Sequence, residues 1–193
     1  MKYNTHNQDD YLLQSNLLGA ESIDELEQLE RVAFYISSSK LENDGLNFLL
    51  PLSSASVKEL HFQLFKNIYD FAGEIRDVSL MKGQTRFCEP VYIEDQLKEI
   101  CRAINFEEDW DSLECAARHL AYVKTELNMI HPFREGNGRT IRLIIREIAK
   151  AKGFTWHFET LDSDEYLAAM ISSQADISSL VNLFLNSLNI TAS

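Results

Sequence analysis

Residues 131 to 142, HPFREGNGRTIR, bring together one histidine, one glutamate, two glycines around an asparagine, and arginines at 139 and 142, with another at 146. Apolar spacing starts a helix at about Asn137, with Ile141, Ile144, Ile145 and Ile148 toward the core and Arg139, Arg142 and Arg146 along another side. Cations near a helix N-terminus meet the positive end of its dipole, an unfavourable term of roughly 0.3–1 kcal/mol each. A bound polyanion reverses that sign, because guanidinium forks and unpaired backbone N–H groups both point to it. Gly136 and Gly138 permit torsions closed to other residues and let a ligand approach the main chain, forming an anion-binding nest with Asn137. Glu135, among these cations, is placed to hold Mg2+ against phosphate oxygens. His131, titrating near neutral pH, is placed to act as a general base. Taken singly, a histidine before proline, a G-N-G turn and an arginine-rich helix face are each more often structural. Their coincidence within residues 131 to 142 favours phosphate chemistry.

The elements that must position these residues read as helices. Leu26, Leu29, Ala33 and Ile36 share one face over residues 24 to 37. A capping box of Ser56 and Glu59 precedes the stripe Val57, Leu60, Leu64, Ile68 and Phe71, and Gly73 closes it. Between these two, residues 37 to 56 mix turn formers with an apolar patch and read as a connecting loop with room for a short helical piece. Helices follow over 94 to 106 and over 111 to 130, the second opening at Asp111 with Glu114 and burying Leu113, Ala117, Leu120, Leu127 and Ile130. Pro132 bars its continuation through His131. The next helix runs from Asn137 to Lys152 with Gly153 as C-cap, and shorter ones cover 163 to 173 and 176 to 189. Only residues 77 to 90 break the pattern: alternation in Val78, Leu80, Phe87 and Val91 around a Lys82-Gly83 turn predicts a β-hairpin that Pro90 ends. The expected fold is mainly α, a helical bundle with a small hairpin flap. A single domain over residues 1 to 193 is expected, with residues 1 to 20 flexible.

The stretch at 131 to 142 resembles the signature of Fic-domain proteins, H-P-F-x-(D/E)-G-N-G-R-x-x-R, at every defined position. The resemblance extends upstream through ELHFQLFKNIYDFAGEIRDVSLMKGQTRFC, similar to the family's helix and flap, and covers roughly residues 20 to 155. It implies a protein adenylyltransferase that moves AMP from ATP to a Ser, Thr or Tyr hydroxyl of a target protein and releases pyrophosphate. By that similarity His131 deprotonates the hydroxyl, and Glu135 holds Mg2+ at the α- and β-phosphates. Gly136, Asn137 and Gly138 form the anion hole, Arg139 takes the β-phosphate and Arg142 the γ-phosphate, while Phe133 is a buried anchor. The flap, Lys82, Gly83, Gln84, Thr85, Arg86 and Phe87, would pair with an extended target segment. Many such enzymes are inhibited by a helix bearing (S/T)-x-x-x-E-(G/N). Ser38, Glu42 and Asn43 fit that pattern, yet fall in the turn-rich segment. NLLGAESIDELEQLERV is similar to the start of toxins of the family that are controlled by a separate antitoxin, which is therefore preferred over self-inhibition through Ser38 and Glu42.

Composition narrows the field further. Eighteen basic against thirty acidic residues give a net charge of −12, with no basic run, so broad capture of nucleic acid or anionic lipid is not expected. No apolar run is long enough to span a bilayer and the start lacks a signal-peptide core, so a cytoplasmic protein is expected, with delivery into another cell left open; that it is a bacterial toxin is what the resemblance implies. Cys88, Cys101 and Cys115 are an odd number without metal-ligand spacing and read as free thiols. His61 and His119 lie on helices and read as structural, and His6 falls in the flexible start. The alternatives left open are another nucleotide or phosphate-linked donor, self-inhibition, and a catalytically silent module that binds phosphate or protein. An intact His131 argues against the last, since binding alone needs no base.

Overall fold

In the computed structural model, which describes residues 8 to 191, the chain begins with α1 (Gln8–Ser15) and α2 (Ile23–Asp44), followed by α3 (Ser54–Phe65). The hairpin β1 (Met81–Lys82) and β2 (Thr85–Arg86) leads to α4 (Pro90–Asn105), α5 (Leu113–Ile130) and α6 (Asn137–Ala151). Strand β3 (Phe154–Trp156), a short 3-10 turn (Phe158–Thr160), α7 (Ser163–Ser172), α8 (Ser178–Ser187) and β4 (Leu188–Ile190) complete the order. At the centre, α5 presents Ala116, Ala117, Leu120 and Ala121, all fully buried, so that its neighbours approach closely. Ile144, Ile145 and Ala149 of α6 complete that contact and join one core that also takes in Leu60, Leu64 and Phe65 of α3.

Local chemistry sets most helix starts. Ser22, Ser53, Ser112 and Asp162 each cap a helix by accepting from a backbone N–H two or three residues on. The capping box of α3 is Ser53 with Ser56, not Ser56 with Glu59, so that helix begins earlier and ends at Phe65; Ile68 and Phe71 are buried from the turns that follow. Ser112 rather than Asp111 opens α5. Pro90 does more than end the hairpin: it occupies the first turn of α4, where its missing N–H costs nothing.

The segment read as a loop over 37 to 56 is mostly helix. Once nucleated, α2 propagates at little cost through its serines, until Gly45 (φ 87) leaves the helix with its N–H closing on the Leu41 carbonyl at 3.0 Å. Ser38 and Glu42 therefore lie on a helix. Of the stripe expected on its first half, Leu26 is buried, but Leu29 and Ile36 are exposed, and Glu30 is buried instead. The stretch 1 to 20 expected to be flexible contains α1, whose Leu12 joins the core; residues 1 to 7, His6 among them, lie outside the described residues. A second small sheet was not foreseen: β3 and β4 pair antiparallel, Phe154 opposite Ile190, so α8 stops at Ser187.

The hairpin pairs Met81 with Arg86 and Lys82 with Thr85, which places the turn at Gly83-Gln84 rather than Lys82-Gly83; Gly83 takes φ 62 there. Arg76 fastens it to the bundle. Its side chain, 2% exposed, donates to the carbonyls of Val78 and Cys88 at the two roots of the hairpin and to those of Ile130 and His131 at the end of α5. Arg76→Met should therefore lower stability by about 3–5 kcal/mol, because buried carbonyls lose a charged donor. Urea denaturation measures the loss, and a change below about 1 kcal/mol would show that Arg76 does not carry the hairpin.

Candidate functional site

Residues 131 to 136 connect the end of α5 to the start of α6, and a protein donor takes every carbonyl along them. His131 O accepts from Arg76 Nε at 2.7 Å and Pro132 O from the Arg76 backbone N–H at 2.9 Å. Phe133 O accepts from Asn137 Nδ2, Arg134 O from Gln8 Nε2, Glu135 O from His61 and Gly136 O from Thr140. The carbonyls thus face the protein. The backbone N–H groups of Asn137, Gly138 and Arg139, at the amino end of α6, make no hydrogen bond among the described residues. Such a terminus is a ready site for an anion.

The anchors are specific. Phe133 is buried as expected, 1% exposed, and stacks on His61 with centroids 3.8 Å apart. His61 Nδ1 accepts from the Gly73 N–H at 2.8 Å, so its other nitrogen is the one that donates to Glu135 O at 3.0 Å. The Asn137 side chain is closed off by Phe133, to which it both donates and accepts, at 2.7 and 2.8 Å. Its side-chain amide is thus a loop brace, and only its backbone N–H is offered to an anion. Gly136 adopts φ 80, and a Cβ there would lie 2.4 Å from the Phe65 ring. Gly138 has ordinary helical torsions, and a Cβ there would meet nothing within 4 Å, so the space above it is open.

His131 caps α5 in the left-handed conformation, φ 48, the one non-glycine residue with positive φ among those described. Nδ1 lies 3.0 Å from the Asn128 carbonyl and must donate to it, which makes Nε2 the basic nitrogen. The ring is 5% exposed and stacks on Phe87 at 3.7 Å. Phe87, expected on the docking edge of the flap, is thus buried beneath it; Lys82, Gly83, Gln84, Thr85 and Arg86 form the hairpin itself, and Gln174 holds Thr85 at 2.8 Å. Burial pushes the His131 pKa down to about 3, and Arg76 and Lys82 push the same way.

The two arginines have different surroundings. Arg139 ion-pairs with Glu30, which also accepts from the Tyr69 hydroxyl at 2.7 Å, and lies 3.6 Å from Glu135. Arg142 has no carboxylate partner among the described residues and rests over the Phe158 ring at 4.1 Å; burial lowers its pKa. Burial raises that of Glu135, against the pull of Arg139. Glu42 pairs at 2.8 Å with Arg146, not with Arg142, although both arginines, Ser38 and Glu42 line one groove of about 350 Å3. The cleft over His131, about 500 Å3, is bounded by the hairpin, His131, Glu135, the start of α6 and α7. Lys82, Lys124, Arg139 and Arg142 face it against the single carboxylate of Glu135.

The Fic/DOC family model matches residues 51–149, a span that includes the whole loop and the start of α6. The chain belongs to the Fic/DOC family. It is 31% identical over 86% of its length to the protein adenylyltransferase VbhT of Bartonella schoenbuchensis, but spans only 35% of that protein. It is 30% identical to the probable protein adenylyltransferase y4lH of Sinorhizobium fredii, covering 77% of each chain. Among solved structures, BepC of Bartonella tribocorum, with bound AMPPNP, superposes with a TM-score of 0.83 over 97% of this chain and 100% of that one, at 21% identity.

Sequence reasoning missed several residues that support this Fic/DOC site: Glu30, Tyr69, Arg76, Lys124 and Asn128, and His61 in its role as loop brace. A signal existed for two of them. Glu30 lies between Leu26 and Ala33, and Lys124 between Leu120 and Leu127, each a charge inside an apolar helical stripe. Nothing local marks Arg76.

His61, like His131, is held near pKa 3, chiefly by burial. Unfolded, each binds a proton below about pH 6.5. Both depressions give stability that is full above that pH and is lost as pH falls toward 3, by about 1.4 kcal/mol per pH unit per histidine. Glu135, shifted up, acts in the opposite sense near the carboxylate range. The melting temperature should therefore fall between pH 7 and pH 5, and His131→Gln should roughly halve that fall. Equal falls in both proteins would mean that His131 is not kept neutral.

Proposed function

We propose that this chain is a protein adenylyltransferase, transferring AMP from ATP to a hydroxyl side chain of a target protein with release of pyrophosphate. The observation that carries the reading is the cleft itself: the amino end of α6 at Gly138 and Arg139, an Arg142 without a carboxylate partner among the described residues, and a buried neutral His131 line one space, in a chain of net charge −12. The relatives named adenylyltransferases, and the nucleotide analogue in BepC, support ATP as the donor.

On this reading, the hydroxyl oxygen of the target attacks the α-phosphorus, the bond from that phosphorus to the bridging oxygen breaks, and the proton passes to His131 Nε2. Asn128 fixes the ring by accepting from Nδ1. A pKa near 3 in the unliganded cleft keeps the ring in its basic form, and the negative charge of a bound triphosphate raises its proton affinity for the transfer. The N–H groups of Asn137 to Arg139 hold phosphate oxygens, Arg139 and Arg142 steady the departing pyrophosphate, and Gly138 leaves room for it. Among the described residues no cluster of three or more His, Cys, Asp or Glu could hold a metal by itself. A lone Glu135 with one oxygen fastened to the Gly136 N–H at 2.8 Å fits Mg2+, which takes few protein ligands and completes its shell with phosphate oxygens and water. When bound, Mg2+ supplies neutralisation of phosphate charge. The hairpin from Lys82 to Arg86 would register an extended target segment over His131, with Phe87 as its floor.

Control by a separate antitoxin helix is the preferred regulation. Glu42 is engaged by Arg146 rather than by Arg142, and α2 leaves Val32, Tyr35 and Ile36 exposed. The bacterial toxin reading rests on the resemblance to the family's toxins.

Two outcomes test these readings. Label from α-32P-ATP, but not from γ-32P-ATP, should appear on proteins of a bacterial lysate and vanish with His131→Ala; label from the γ-position would overturn nucleotidyl transfer in favour of phosphoryl transfer. Glu42→Gly should leave the labelling rate within about twofold, whereas a gain of tenfold or more would establish self-inhibition through Glu42.

A further inference from the structure

Lys124 on α5 is 2% exposed and lies outside the 131 to 142 motif. Its position falls on the apolar stripe between Leu120 and Leu127, where methionine would fill the same space without a charge. Its ammonium lies 5.3 Å from the centroid of the Tyr166 ring and 5.7 Å from that of Trp156. It makes no hydrogen bond or ion pair among the described residues. It lines the cleft over His131 with Asn128, His131 and Arg142.

A buried ammonium without a counter-ion is unfavourable, and two ring faces compensate only in part. Arg142, next to it, lacks a carboxylate partner among the described residues as well, and each cation makes the other costlier: burial, then Arg142, push the Lys124 pKa down to about 7. Packing does not account for two such cations side by side in an acidic protein. An anion entering the cleft would complete both. Leu167, Met170 and Ile171 of α7 give the same cleft an apolar wall suited to a base and ribose, while the charged donors collect around Lys124 and Arg142.

We propose that Lys124 is a further substrate-binding residue, which together with Arg142 holds the terminal phosphates of the bound nucleoside triphosphate. This assignment rests on the nucleotidyl-transfer reading and adds a contact outside the 131 to 142 motif. The amine hydrogen-bonds phosphate oxygens, the Trp156 and Tyr166 rings keep it aimed into the cleft, and the triphosphate supplies the missing counter-charge.

Calorimetric titration of wild type, Lys124→Met and Lys124→Gln with ATP, AMP and inorganic tripolyphosphate tests it, with melting temperatures alongside. Lys124→Met removes a desolvated charge and should melt no lower than wild type. ATP and tripolyphosphate should bind about tenfold more weakly to both variants, and AMP within about twofold of wild type. Unchanged ATP affinity, or equal losses for ATP and AMP, would overturn the assignment while leaving the nucleotidyl reading in place. Wild type that binds tripolyphosphate through Lys124 but neither nucleotide would overturn the nucleotidyl reading and retain the anion site. A methionine variant that unfolds, with a glutamine variant that folds and binds ATP normally, would show Lys124 to be structural.

Discussion

The site depends on one constraint: six consecutive carbonyls, from His131 to Gly136, are all turned toward donors inside the protein. Arg76, Asn137, Gln8, His61 and Thr140 supply those donors from four different segments: α1, α3, the connection before the hairpin, and α6 itself. With the oxygens fastened, the main chain has only N–H groups to show the cleft where α6 begins. The positive end of the α6 dipole is thereby exposed without competing negative partial charge. His131 is positioned by the same network, since the bond that holds its carbonyl fixes the left-handed backbone from which its ring stacks on Phe87.

This arrangement concentrates positive charge in a strongly acidic molecule. A net charge of −12 would repel a triphosphate at long range, so binding must come from short-range contacts in a desolvated cleft, where screening is weak. The cleft matches that requirement. Its arginines are partly buried over aromatic rings, Arg139 over Phe34 and Phe65 and Arg142 over Phe158, which orients the guanidinium planes without neutralising them. Arg139 alone is also tied to acid, by Glu30, and the Tyr69 hydroxyl holds that acid in place. Arg139 is thus pre-positioned by a fixed carboxylate, while Arg142 has no carboxylate partner among the described residues.

Helix α2 joins these functions. Its buried side carries Glu30 to Arg139, and its last turns carry Ser38 and Glu42 to the groove beside Arg142 and Arg146. Its exposed side bears Val32, Tyr35 and Ile36. One element thus contacts Arg139 through Glu30 and Phe34 and Arg146 through Glu42.

The sequence by itself determined the chemistry of residues 131 to 142, because a histidine, a carboxylate, two glycines and two arginines are neighbours in the chain and their spacing is their geometry. It also determined that the chain is helical, through stripes such as Ile141, Ile144, Ile145 and Ile148, and that a hairpin interrupts it near Gly83. Short-range competitions between caps were less legible: Ser53 against Ser56, and Ser112 against Asp111, differ by small energies that neighbouring packing decides. So did the length of α2, where helix propagation overrode three serines. Only the tertiary structure decided which distant groups complete the site. Arg76, His61, Glu30 and Lys124 lie between 7 and 101 residues before His131 and meet the loop because the core aligns their helices; Lys124 reaches the cleft because α5 faces it two turns before its end. Their partners are backbone carbonyls, ring faces and other buried charges, and such contacts leave no pattern in a linear sequence except a charge where an apolar side chain belongs.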